Sequence, residues 1–363
     1  MDALSIRAVL GRAPGLRATH VRALVAAADG DLTRSIEPET LAQVALPDAA
    51  RTALSNPDKA ALESDLEWIR CSGAQLLAST DTDYPSQLQT IADAPAVLFV
   101  LGDTRSLASK QLAMVGSRGP SHSGRSIAHR FADCFARAGL TITSGLALGI
   151  DAVSHGGALS GGGQTVAVCG TGLDRVYPIK HTALAALICK NGALVSQFPP
   201  GTAPRGPNFP QRNRLISGLS LGTLVVEAAL RSGSLSTAHH ARKQGRRVFA
   251  IPGSVSSPLS IGCHELIRKG ATLVQTPADV LSELKIPLPN EVLGSHEGGC
   301  GRGRVMDKGY EMLLDAVDFG PVSVDVLVVR TGLPGELVTS MLLVLELEGR
   351  IAPYPGGRFG RIP

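Results

Sequence analysis

From residue 112 onward the chain repeats one pattern, and that pattern admits few folds. Short apolar runs at 112–115, 141–143, 165–168, 193–195, 223–226, 248–251 and 272–274 alternate, for the most part, with helix-length segments. Antiparallel strands can be joined by tight turns, whereas parallel strands need a longer crossover, usually a helix. The alternation therefore predicts an α/β fold with a parallel sheet and helices on both faces. Sites in such sheets lie at the carboxyl ends of the strands. Glycines and polar residues collect at those ends: Gly116-Ser117-Arg118, Ser144-Gly145, Gly170-Thr171-Gly172, Glu227 and Pro252-Gly253.

The first run is the most informative. Leu112-Ala113-Met114-Val115 is short and apolar, as a buried parallel strand should be. Gly116 and Gly119 relax the turn after it, and Ser121 and Ser123 are N-cap candidates. The following segment, roughly 124–138, is amphipathic, with Ile127, Phe131, Cys134 and Phe135 at spacings of three and four. A strand, a glycine turn and a helix N-terminus together form an anion site, because free N–H groups and the helix dipole face the turn. Arg118 adds a planar cation suited to phosphate. The plain alternative is a structural turn carrying a solvated arginine.

Charge favours an anionic partner. The formal net charge is only +4, but residues 110–275 hold 18 Lys and Arg against 5 Asp and Glu. The basic middle and acidic flanks suggest a polyanion bound to the middle domain; a basic face without a partner is the alternative. No run of about 18 apolar residues marks a membrane span. The N-terminus lacks a signal peptide's charged-then-apolar order. Cys71, Cys134, Cys169, Cys189, Cys263 and Cys300 form no C-x-x-C pair, and read as reduced thiols of a cytoplasmic protein.

Four segments are expected. Residues 1–82 read as a helical, SAM-like domain. Within it, Ala13-Pro14-Gly15-Leu16 with Val21, Leu24 and Val25 resembles half of a helix-hairpin-helix unit, or simply packs two helices. Residues 83–286 form the Rossmann-like domain. Residues 287–304, rich in Gly and Pro without apolar periodicity, read as a flexible linker. Residues 305–363 suggest three helices and a β-wing, a winged-helix-like domain. Its 5 basic against 8 acidic residues weaken a DNA-binding role, so protein contact is an equal alternative.

A second cluster, Asn208-Phe209-Pro210-Gln211-Arg212-Asn213-Arg214, has the chemistry of nucleic-acid binding. The arginines suit phosphates, Asn213 suits sugar or base, and Phe209 can stack a base. The alternative is a core phenylalanine on a helix with solvated arginines. Asp151 and His155, four apart on one helix face, suggest an acid/base or structural pair. Glu227 is either catalytic or a cap for Ser232-Gly233-Ser234. No G-x-x-x-x-G-K-[ST] motif is present, and Arg175 replaces the third glycine of G-x-G-x-x-G after Gly170, so no nucleotide cofactor is expected.

Taken together, residues 81–275 resemble the DNA-processing protein A (DprA/Smf) family. The resemblance rests on Asp83-Tyr84-Pro85 with Leu88, Ile91 and Pro95, on Val115-Gly116-Ser117-Arg118, and on Ser144-Gly145-Leu146-Ala147 with Gly149-Ile150-Asp151 and His155. It continues through Gly172-Leu173-Asp174, Tyr177-Pro178, Phe209-Pro210 with Arg212-Asn213-Arg214, Ile216-Ser217-Gly218-Leu219-Ser220, and Val226-Glu227-Ala228 with Ser232-Gly233-Ser234-Leu235. It closes on Gly245-Arg246, Val248-Phe249-Ala250, Pro252-Gly253, Ser260 and Gly262. His181 stands where the family often has Asn, and Arg205-Gly206 lacks the lysine that some members carry before the Phe.

The resemblance implies a non-enzymatic, cytoplasmic, homodimeric protein. Such a protein binds single-stranded DNA, protects it during natural transformation and helps load the RecA recombinase. By position it implies Gly116, Ser117 and Arg118 as phosphate contacts, Phe209, Arg212, Asn213 and Arg214 in the same groove, and Lys180 at its edge. The alternative is a nucleoside-monophosphate phosphoribohydrolase-like enzyme with Glu227 catalytic. Such enzymes carry P-G-G-x-G-T before that Glu, which Gly218-Leu219-Ser220-Leu221-Gly222-Thr223 lacks. A third reading is a transcription regulator acting through residues 305–363.

Overall fold

The computed structural model describes residues 1–287, 308–317 and 320–362. Its centre is a nine-stranded sheet: β1 (Gln75–Ala78), β2 (Val97–Gly102), β3 (Gln111–Val115), β4 (Thr141–Ser144), β5 (Thr165–Val168), β6 (Gly192–Ser196), β7 (Gly222–Val225), β8 (Arg247–Ala250) and β9 (Thr272–Leu273), in the order β1-β2-β6-β5-β4-β3-β7-β8-β9. From β6 to β9 all neighbours are parallel. The alternating apolar runs thus become a parallel sheet as expected. Leu112, Met114 and Ile142 pack on one face with Phe131 and Phe135, while Ala113, Val115 and Val225 face Leu215, Ile216 and Ala238 on the other.

The sheet also holds two strands that the alternation did not reveal. β1 and β2 are antiparallel to each other, and β2 is antiparallel to β6. The helix Lys59–Ser72 stops at Gly73, whose φ of +71° suits a residue without Cβ, and the chain then enters β1 directly. An apolar run as short as 76–78, directly after a helix, gives no period with which to tell a strand from a helix end.

A domain boundary was expected at 82, and packing continues across that position. The N-terminal helices share one core with the sheet: Ile6, Val9 and Leu10 cluster with Val97 and Phe99. A Cβ on Gly11 would stand 2.9 Å from the Phe99 ring, so the helix backbone approaches β2 as closely as a glycine allows. Arg7 pairs Asp81 at 2.8 Å, and Arg12 pairs the buried Asp65 at 2.5 Å. The Pro14-Gly15 turn joins the helices Ala3–Arg12 and Ala18–Ala27, and Leu16, Val21 and Leu24 are buried in this core. The described residues up to 287 form one compact unit.

The second unit has its own core of Leu313, Leu327, Val338, Met341, Leu342, Leu345 and Ile351. Helices Lys308–Ala316, Val324–Thr331 and Gly335–Leu347 precede a wing of β11 (Ile351–Tyr354) and β12 (Arg358–Arg361), with β10 (Val322–Ser323) on β12. Gly356 and Gly357 turn the wing with φ of +82° and +65°. The third helix carries Glu336 and Glu346 and no Lys or Arg. Beyond Pro287, the expected linker lies outside the described residues, as does Cys300. Among the described residues, no single helix is long and apolar enough to cross a membrane.

Candidate nucleic-acid interface

The strand order reverses between β3 and β7, and the crevice beyond their carboxyl ends is where such sheets take ligands. Gly116, Ser117 and Arg118 leave β3 there. The helix after them, His122–Arg137, is capped by Ser121, whose hydroxyl accepts the Gly124 N–H at 2.9 Å. Ser121 is thus the cap, and Ser123 lies inside the helix. The turn is pinned from beneath. Ile150 donates to the Ser117 carbonyl at 3.0 Å, and Gly149, at φ +82°, passes so close that a Cβ would meet that oxygen at 2.2 Å.

The expected anion site changes character at this turn. The Ser117 N–H is engaged by the Glu227 carbonyl at 2.7 Å, and Gly119 N–H by the Ser117 hydroxyl at 3.2 Å. The cap residue of that helix is bound by the Glu227 carboxylate. Ser121 N–H donates to its Oε2 at 2.9 Å and the Ser121 hydroxyl to its Oε1 at 2.5 Å. Glu227 therefore holds the Ser121 cap of the helix beginning at His122, not the Ser232-Gly233-Ser234 loop. What the turn still offers is the exposed Arg118 guanidinium, whose Cζ lies 5.8 Å from the Phe209 ring centroid.

The 208–214 block divides by helical phase. Phe209 opens the helix Asn208–Leu219 and is half-buried. Its ring lies on Gly170, where a Cβ would stand 2.8 Å from it, and 5.6 Å from the Tyr177 ring. Arg212, one turn on, points inward and is 4% exposed. Its Nη1 donates to the carbonyls of Gly145 and Val168, while Nε has no partner among the described residues. Asn213 donates to Ser236 Oγ at 2.7 Å and holds the 233–236 turn. Arg214 bonds the Asp93 carbonyl and Gln197 Oε1, with its side chain 14% exposed. Arg212, Asn213 and Arg214 were expected in the groove; their side chains bond carbonyls, Gln197 and Ser236 of the protein itself. The physical reason is that their side chains meet orphaned carbonyls and loops that only the fold brings near.

Under Arg212 lies a buried polar layer. Asp151 Oδ2 accepts the Gly145 N–H at 3.1 Å and the Ala147 N–H at 3.3 Å. Burial pushes the Asp151 carboxyl up and the Arg212 guanidinium down, and each charge opposes the other's shift. His155 does not bond Asp151. Its Nδ1 meets Thr165 Oγ1 at 2.7 Å, and the Thr165 hydroxyl donates to the Ile142 carbonyl at 2.6 Å. Nδ1 therefore carries the proton, and burial pushes His155 down to about 3. Asp151 and His155 thus stiffen the 144–149 loop and β5 separately. Among the described residues, no cluster of three His, Cys, Asp or Glu could hold a metal.

Lys180 is exposed on the turn Ile179–His181, which docks through His181 Nδ1, 2.8 Å from the Leu146 carbonyl. Arg118, Phe209 and Tyr177 are therefore grouped, and Lys180 is exposed three residues after Tyr177. Tyr177 is 47% exposed and was not expected in the site. Its signal was present in the sequence: an aromatic beside Pro178 in a basic loop, within a block already singled out by the resemblance. Gly124 and Gly170 were missed because no local pattern says which side chain a glycine admits.

Comparisons with known proteins bear on the family and the fold. Residues 75–285 match the family model "DNA recombination-mediator protein A", and residues 305–357 match "DprA winged helix domain". The chain is 45% identical over 312 residues to Protein Smf of Escherichia coli, covering 85% of this chain and 83% of that protein. It is 45% identical over 205 residues to DNA processing protein DprA of Streptococcus pneumoniae, covering 56% and 72%. The crystal structure of the pneumococcal protein matches with a TM-score of 0.67 at 35% identity, over 78% of this chain and 99% of that one. A structure described for the single-stranded DNA binding mode of DNA processing protein A from Helicobacter pylori matches with a TM-score of 0.54 at 28% identity, over 58% and 95%. The chain belongs to the DNA recombination-mediator protein A (DprA/Smf) family.

Proposed function

We propose that this protein binds single-stranded DNA across the strand ends, protects it, and passes it to the RecA recombinase during natural transformation. The observation that carries the reading is the open Arg118 guanidinium beside the Phe209 ring, which has Tyr177 as its aromatic neighbour, on the switch-point crevice of the basic segment. Arg118 and Lys180 pair phosphates, and the rings stack bases without regard to sequence. The Helicobacter relative studied for its single-stranded DNA binding mode supports the same ligand. The role is non-enzymatic and cytoplasmic, and a homodimer would join two grooves and raise avidity for long strands.

The phosphoribohydrolase-like alternative needs a free Glu227, and Glu227 is engaged by Ser121. A regulator acting through the terminal domain needs a cationic recognition helix, and Gly335–Leu347 has none. The deciding experiment is a gel shift with single- and double-stranded oligonucleotides, with and without RecA. Preferential single-strand binding and faster RecA filament assembly are expected. Equal affinity for duplex, or no effect on RecA, would sink the reading.

A further inference from the structure

The fold's own phosphate site is filled by a side chain of this chain. Open α/β sheets hold a nucleotide's phosphates at the switch point, on the N-terminus of the helix that follows the first parallel strand. Here that helix is His122–Arg137, 16 residues long, after β3. Glu227, two residues past β7 on the far side of the switch point, reaches across 106 positions of sequence to occupy it. Both carboxylate oxygens are bound: Ser121 N–H at 2.9 Å to Oε2 and the Ser121 hydroxyl at 2.5 Å to Oε1. The fit is steric as well as polar. A Cβ on Gly124 would lie 2.3 Å from the carboxylate carbon, so the helix's first turn is hollowed to receive it. The backbone reinforces the placement, since the Glu227 carbonyl accepts the Ser117 N–H at 2.7 Å.

We infer that Glu227 is a specificity residue, a built-in anion that closes the small-phosphate site of the fold and leaves the polymer's phosphates to Arg118. This rests on the single-strand reading above. An intramolecular carboxylate needs no free ligand concentration to stay bound, so a mononucleotide must displace it to enter. A DNA strand, held by several phosphates along the open face, has no need of that position. Glu227 thereby turns a nucleotide pocket into a polymer groove without altering the strand order that created it.

The test is a comparison of wild type, Glu227→Ala and Glu227→Gln against two probes, inorganic phosphate and 5′-AMP, with labelled single-stranded DNA in parallel. Glu227→Ala opens the hollow over Gly124 and is expected to bind both probes at least about tenfold more tightly than wild type, the scale of a charge-assisted contact at a helix N-terminus. Glu227→Gln keeps the hollow filled and is expected to exclude them as wild type does. Single-strand affinity of Glu227→Ala is expected to stay equal or rise, because a negative charge beside the groove is removed. Glu227→Ser, short and polar, replaces Glu227→Ala if its thermal melt shows it unfolded. No gain of phosphate binding in the short variants overturns the inference, and so does an equal gain in Glu227→Gln. If wild type binds no single-stranded DNA while Glu227→Ala gains phosphate, the function proposed above fails and the closure of the pocket stands.

Discussion

Arg118 and Arg212 each bring Cζ near one ring, 5.8 and 5.9 Å from the Phe209 centroid, yet they are expected to fail in opposite ways. Arg118 is exposed and makes no ion pair among the described residues. Arg118→Ala removes one phosphate contact. A hydrogen bond to a charged group is worth about 1.5–3 kcal/mol, so affinity for single-stranded DNA should fall about 10- to 150-fold. One fewer phosphate is neutralised, so the slope of log K against log salt should flatten by about 0.7. The melting temperature should not move, because nothing buried is left unpaired. Arg212→Met takes a side-chain donor from the carbonyls of Gly145 and Val168 and removes the charge opposite the buried Asp151. Breaking such an arrangement costs about 3–5 kcal/mol. At about 2–4 °C per kcal/mol for a unit of this size, the melt should drop by on the order of 10 °C. Fluorescence anisotropy of a labelled oligonucleotide over a salt series, with thermal melts of each variant, separates the two signatures. An unchanged slope in Arg118→Ala refutes its phosphate role. A flattened slope in an Arg212→Met protein that melts like wild type refutes the inward seat as the working state.

Phe209→Ala should weaken single-strand binding by about 1–3 kcal/mol, one stacked base, while leaving the salt slope unchanged; a changed slope would mean that the ring acts through Arg118. His155 makes stability depend on pH. Its folded value, about 3, lies below the ordinary value near 6.5, so protons favour the unfolded chain and stability is lost as pH falls below about 6.5, continuing toward about 3. Urea unfolding of wild type and His155→Asn between pH 7 and 5 should show the wild type losing up to about 1.4 kcal/mol per pH unit more than the variant at the lower end, and parallel curves would remove His155 from the account.

Much of the architecture is legible because it repeats. Seven apolar runs at crossover spacing dictate a parallel sheet, and the reversal of strand order then dictates where a ligand sits. The winged helix is similarly local, with its helices and wing set by apolar spacing and by Gly356 and Gly357. β1 was hidden, since 76–78 is too short to show a period, whereas the apolar run of β2 at 97–101 was legible and only its antiparallel pairing was not. The shared core of the N-terminal helices and Phe99 was hidden for the same reason: a helix's apolar stripe does not name the surface that will cover it.

By itself, the amino-acid order determined the seven parallel strands, the basic segment, the turn at Gly116-Ser117-Arg118 and the aromatic that would stand near it. Only the tertiary structure decided what that turn binds. Arg118 and Arg212 are the same residue in equally suggestive motifs, yet one meets solvent and the other meets two carbonyls from separate strand ends. Glu227 reads equally as catalyst or cap until Ser121 and Gly124 are brought against it. Residue type sets what a group can bond, but burial and the arrival of distant backbone determine whether that capacity is satisfied inside the protein or left for a ligand.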